Sequence, residues 1–158
     1  MSYRLYSFVN HLYMNAKQWG IQTAHCVSTM SVLYKHNTVQ HAAYTTWATE
    51  DPTIIMCEGG NVAMLMDLYV RLVPLANALD LPIVKFHEDE QSLGGVITSV
   101  AVLVPDTLFN CYVEYEPMID GTRTAVFINP ETFSRYREAI NPIEHAFLSI
   151  VKMARLAN

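Results

Sequence analysis

This sequence is short of charge. Only 16% of its 158 residues are Asp, Glu, Lys or Arg, against 51% hydrophobic, a balance that implies a well-packed globular protein with a sparsely charged surface. Acids outnumber bases, 15 to 10, for a net charge of −5. That argues against a general nucleic-acid coat protein, which needs many lysines and arginines facing phosphates, but allows a local basic rim. Long apolar runs are missing too. "VITSVAVLV" (96–104) is strand-sized, far short of a membrane span, and no membrane association is expected. Three cysteines, Cys26, Cys57 and Cys111, form neither an even framework nor a CxxC pair and read as reduced thiols. The opening "MSYRLYSFV" lacks a basic flank, apolar core and cleavage site, so a signal peptide is not expected and a cytoplasmic location is. Neither a Gly-x-Ser-x-Gly elbow nor a phosphate-binding loop nor a dinucleotide fingerprint occurs.

What is present reads as alternating strands and helices. Tyr3 to Val9 is aromatic and β-branched, hence a strand. A helix over about 17–35 follows, expected to bury Trp19, Ile21, Ala24, Val27 and Met30. Residues 36–52 show weak periodicity and read mostly as loop, with room for a short helix. "TIIMC" (53–57) is a second strand, and Val62 to Leu79 a helix that Pro74 should kink or split. "IVKF" (83–86), the polar loop "HEDEQSLGG" and the strand at 96–104 complete a domain over 1–105. Buried strands joined by helices predict a three-layer α/β/α domain with a mixed, mostly parallel sheet of about four strands. Residues 106–158 read as an extension packed on it. Strands at 108–115 and 124–128 flank "EPMIDG", giving a β-hairpin. "INP" then occurs twice, at 128–130 and 140–142, each offering Asn as helix cap and Pro at the first position. Glu144 completes a capping box for the second, whose helix presents Phe147, Ile150 and Val151 on one apolar stripe.

Chemistry concentrates in the first helix and the acidic loop. Gln18, Gln22 and His25 fall at i, i+4 and i+7 and share a face that Thr29 continues. Ligands of α/β sheets bind outside the carboxyl ends of strands, and "FHEDEQSLGG" and "CEGGN" both lie at such ends. Gln18 and Gln22 are therefore placed to converge with His87, Glu88 and Asp89. A carboxylate, a histidine and amide donors around one crevice suit hydrolysis. The bland reading is a solvated polar stripe with a half-buried histidine. A zinc site from His25, Cys57 and His87 has no ligand spacing to support it.

In "QWGIQTAHC", Gln22, Ala24 and His25 match the helix opening of the type II peptidyl-tRNA hydrolases. Leu81-Pro82, Glu88, the "LGG" at 93–95, Thr98 and Pro105 follow in that family's order. Over residues 3–105 the chain resembles this archaeal and eukaryotic family and its phage and bacterial relatives. Two positions depart from it: the family's functional lysine falls at Gln18, beside Lys17, and its loop aspartate at Glu88, beside Asp89. The resemblance implies hydrolysis of the ester joining a peptidyl or aminoacyl group to tRNA, with no metal or cofactor. It implies Glu88 orienting or deprotonating the water and Gln22 and His25 positioning the carbonyl or terminal adenosine. Thr98 would donate to the oxyanion or the water. Lys17, Gln18 and Lys85 would meet the RNA backbone, with Asp89, Gly94 and Gly95 beside them. The alternative is a catalytically silent member of the fold that binds a protein partner. The extension over 106–158 could serve such a partner or a homodimer.

Overall fold

The strongest apolar run becomes an interior strand. In the computed structural model, which describes residues 1–128, 140–152 and 154, the strand Ile97–Pro105 is buried at every position. Four strands form the main sheet: β1 (Tyr3–Asn10), β2 (Ile54–Gly60), β3 (Ile83–His87) and β4 (Ile97–Pro105), in the order β2-β1-β4-β3. β1 and β2 pair parallel, while β4 is antiparallel to both its neighbours. The mostly parallel sheet read from the sequence is therefore corrected to one parallel pair and two antiparallel ones. The connection from β3 to β4, residues 88–96, is too short for a parallel crossover, which needs about a dozen residues or more. β1, β2 and β3 still point the same way. Their carboxyl ends share one edge with the start of β4.

Helices lie against both faces. α1 (Ala16–Leu33) and α2 (Thr38–Glu50) pack Cys26, Met30 and Trp47 against Leu5, Val84, Ala101 and Leu103. On the other face, α3 (Val62–Ala78) brings Leu65, Leu72 and Ala76 against Phe8, Val100 and Val102. Alternate residues of each strand serve the two faces, the period of two that a pleated sheet imposes.

Three sequence readings need correction. Residues 38–50 form a full helix, not mostly loop. Asn37 caps it by accepting from the Gln40 amide, and Gln40, Ala43 and Trp47 are its buried stripe. Threonines and alanines dilute that periodicity in the sequence. Pro74 does not split α3, which runs unbroken from Val62 to Ala78. Pro74 and Val70, whose carbonyl loses its partner, are exposed, so water can take that bond. Finally, α1 is rotated from its expected pose: Gln22, Thr23, Cys26 and Met30 are buried while Ile21 and Ala24 are exposed. Polar partners on the sheet, described below, hold it so.

Beyond β4, a short α5 (Asp106–Phe109) leads into β5 (Tyr112–Pro117) and β6 (Arg123–Ile128), an antiparallel pair of their own. Asn129 and Pro130, the helix start read from the first "INP", lie outside the described residues. The second "INP" opens α6 (Pro142–Val151), where Asn141 and Glu144 form the reciprocal capping box. Phe147, Leu148 and Val151 are buried in the same core as α3, while Ile150 is half-buried and Ile143 exposed. The apolar stripe of α6 is thus satisfied within its own chain. Among the described residues, no helix is long and apolar enough to cross a membrane.

The β1–β2 register shifts at the carboxyl edge, from Val9↔Glu58 to Asn10↔Gly60, so Gly59 has no opposite residue. A Cβ there would meet Leu65 Cδ2 at 2.7 Å and the Val9 carbonyl oxygen at 2.9 Å. Gly59→Ala should therefore cost about 1–3 kcal/mol through overpacking against backbone that cannot yield. Chemical denaturation checks it; a change within noise would mean β2 can draw away from β1.

Candidate functional site

The loop from β1 to α1 is pinned from three sides. Asn10, the buried last residue of β1, donates from Nδ2 to the Ile97 carbonyl of β4 at 3.0 Å and accepts from the Leu12 amide at 2.9 Å. Trp19 of α1 donates its indole N–H to the Tyr13 carbonyl at 2.6 Å. Asn15 caps the helix, accepting from the Gln18 amide. Tyr13 is thereby held over the start of the acidic loop.

That loop is built to return on itself. The Glu88 amide donates to the Val96 carbonyl at 3.0 Å, closing its two ends. Asp89 caps the single-turn α4 (Glu90–Leu93) by accepting from the Ser92 amide at 2.6 Å. This bond, with the Ser92 hydroxyl, holds the Asp89 carboxyl below its ordinary range. Gly94 and Gly95, at φ +63 and +71, then turn the chain back in a left-handed conformation that side chains disfavour. His87 bonds through Nδ1 to the Gly95 carbonyl at 2.9 Å. Asp89, Gly94, Gly95 and His87 thus shape the loop that presents Glu88.

Gln22 joins the loop to the sheet. Its side chain is only 3% exposed. Its Oε1 accepts from the Thr98 hydroxyl at 2.7 Å, and its Nε2 donates to Glu88 Oε1 at 3.0 Å. Tyr13 donates from its hydroxyl to the same carboxylate oxygen at 3.3 Å. The chain is polarised in one direction, hydroxyl to amide oxygen, then amide N–H to carboxylate. The β3–β4 register shifts from Phe86↔Ser99 to His87↔Ile97, leaving Thr98 without an opposite residue on β3. Such irregularities re-aim side chains next to functional sites. Thr98 is fully buried with its proton committed to Gln22, so what it does here is hold the amide.

No protein-family model matches the chain, and no curated protein matches it.

His25 stands one turn beyond Gln22, its ring stacked on Phe86 at 4.2 Å between centroids and 9° between planes. Gln18 is exposed and tied back to the cap, its Oε1 accepting from Asn15 Nδ2 at 3.0 Å. Lys17 beside it is exposed. Lys85 is not brought to this site: it lies across the sheet, its Nζ 4.9 Å from the centre of the Tyr69 ring of α3. It follows the strand's alternation, in which Val84 and Phe86 face α1 and Ile83 and Lys85 face α3. Among the described residues, no three His, Cys, Asp or Glu side chains gather to hold a metal.

Sequence reasoning passed over Tyr13, Asn10 and a buried polar seam behind the site. Ser7 and Thr23 share a hydrogen bond of 2.7 Å, and Ser99 donates to the Gln22 carbonyl at 3.0 Å and contacts Cys26 Sγ at 3.1 Å. Burial pushes the Cys26 thiol up to about 11, with the Ser99 bond opposing it, so it is an inert packing group. Burial first, then the Glu88 charge, raises the Tyr13 phenol, which keeps its proton for donation. Every buried side-chain nitrogen or oxygen among the described residues has a partner.

Proposed function

We propose that this protein hydrolyses the ester linking a peptidyl or aminoacyl group to the 3′ ribose of tRNA, with Glu88 as general base. One observation carries the reading: Glu88 Oε1 takes hydrogen bonds from both Gln22 and Tyr13, and Gln22 is itself oriented by Thr98. A carboxylate fixed this way keeps its second oxygen, which takes no hydrogen bond among the described residues, for a water. The second N–H of Gln22 Nε2 is the donor nearest the charge that develops on the carbonyl oxygen, while the single Tyr13 proton stays on Glu88. His25, held flat by Phe86, offers a ring platform for a terminal base, the usual way unpaired RNA ends are bound.

The substrate comes from the resemblance to the type II peptidyl-tRNA hydrolases. We read the helices on either side of the sheet as that family's three-layer arrangement. Cations near the site are few, since Lys85 faces the other way, and affinity for RNA should be weak and salt-sensitive. Single-turnover hydrolysis of purified peptidyl-tRNA and aminoacyl-tRNA tests the proposal. Cleavage no faster than in buffer, by folded protein, would end it. Tyr13→Phe refines the test. Losing one donor to the carboxylate should slow the reaction by about tenfold, the worth of one charge-assisted hydrogen bond. An unchanged rate would remove Tyr13 from the machinery and leave the other roles standing.

A second reading is favoured by Gln18, whose neutral side chain bonds to Asn15 at the family's lysine position. It is a catalytically silent fold that binds a protein. Recovery of tRNA with the tagged chain supports the first reading; one stoichiometric protein supports the second.

A further inference from the structure

The carboxylate proposed above as the base stands in uncompensated negative charge. Glu88, Asp89 and Glu90 follow one another at the head of the loop, and the capping bond from Ser92 helps keep Asp89 ionised. None of the three meets a base among the described residues. Glu88 takes its hydrogen bonds from the neutral side chains of Gln22 and Tyr13, and the salt bridge from Arg71 to Asp67 is on α3. Basic residues close by in the chain do not answer them. Lys85 faces α3, and His87 directs Nδ1 to the Gly95 carbonyl. Lys17, exposed in the first turn of α1, forms no ion pair among the described residues. Gln18, four residues before Gln22 and so on its face of the helix, is neutral.

Ester hydrolysis builds negative charge on the carbonyl oxygen, and three carboxylates oppose it. Compensation has to come from elsewhere, and the substrate can carry it. In an ester of a free α-amino acid the ammonium nitrogen is two bonds from the carbonyl carbon. A water shared between that carbon and Glu88 therefore puts the ammonium within about 5 Å of the carboxylate. N-acylation removes that charge and leaves a neutral amide in its place. We infer that the substrate is tRNA esterified with an unblocked amino acid, selected over N-blocked peptidyl esters by its α-ammonium; this rests on the ester-hydrolysis reading above. Charge decides between these two because they differ in it at the reacting end. The RNA is common to both, so its repulsion from the loop cancels.

Single-turnover cleavage of one tRNA, charged with phenylalanine or with N-acetyl-phenylalanine, tests the inference. The assay is run at pH 6, where an α-amino group, titrating at about 7.7–8.0, is protonated. Each rate is divided by that ester's own rate in buffer. The free amino ester should be cleaved faster by about tenfold or more, as expected for opposite charges about 5 Å apart near a protein surface. Added salt should shrink the difference. Gln18→Lys sets a cation one turn from Gln22, and Glu90→Gln removes an acid. Each should narrow the preference by about a few fold, the scale of one exposed charge. Both positions are exposed, and a thermal melt checks that the variants fold. Equal rates, or faster cleavage of the N-acetyl ester, overturn the inference and leave ester hydrolysis standing. So does a preference that neither variant narrows, since charge would not be its source. Cleavage of neither ester ends the reading on which the inference rests, and the inference with it.

Discussion

Glu88→Gln should lower single-turnover ester hydrolysis by about 10²–10⁴-fold, the usual contribution of a positioned general base. The substitution is nearly isosteric. The amide oxygen of glutamine can still accept from Tyr13 and from Gln22, which donate to Oε1 in the parent. What disappears is the ability to take a proton from water. The thermal midpoint should scarcely move, because Glu88 is only half-buried and its loop is closed by backbone, through the bond from its own amide to Val96. A variant that keeps more than a small fraction of the parent rate would show that the carboxylate merely shapes the loop. The base would then have to be sought elsewhere.

The second large effect concerns stability and leaves the chemistry alone. Phe147 is fully buried, packed with Leu148 and Val151 against the α3 side of the core. Phe147→Ala removes most of a phenyl ring and leaves a cavity that α6 cannot close without giving up its cap at Asn141, so it should cost about 3–5 kcal/mol. At roughly 2–4 °C per kcal/mol for a chain of this size, the midpoint falls by roughly 10 °C. Ile143→Ala, on the exposed first turn of the same helix, should cost a small fraction of that. Equal losses at both positions would mean that α6 is anchored by its end instead of its buried face.

Where the sequence spoke clearly, one local rule decided the outcome. The run at 96–104 has little polar alternation, and from Ile97 on it is buried as an interior strand. Asn141 and Glu144 stand at the capping-box spacing, and both bonds form. Gln22 was expected beside the acidic loop because the crevice rule placed its helix and that loop at one edge, and it bonds to Glu88 there. Other features depended on partners far away in the chain. Strand direction turns on β4 entering between β1 and β3, which no single segment encodes. The rotation of α1 follows from Ser7 bonding to Thr23 and Thr98 donating to the Gln22 side chain, so polar residues go inward where composition would send Ile21 and Ala24. Tyr13 sits in a segment with no periodicity. The available signal was its position just after a strand that ends in a polar residue, Asn10. Lys85 was misplaced because one residue of strand register decides which face a side chain meets.

The insertion of β4 beside β1 also has a consequence for biogenesis. β1 is synthesised well before its antiparallel partner, which ends at Pro105, paired with Tyr3. Until that strand is synthesised, β1 has only β2, some fifty residues on, along one side, and its other side is an open edge able to pair with a neighbouring nascent chain. β3 and β4 are close in sequence and can zip together early, whereas docking them onto β1 closes a loop of nearly the whole domain, a step that long-range pairing makes slow. Asn10 and Tyr13 belong to the β1 side of that junction and Glu88 and Thr98 to the other. A chain stalled before residue 97 would therefore carry most of its helices but lack the Thr98 that holds Gln22, and such a chain would need a chaperone most.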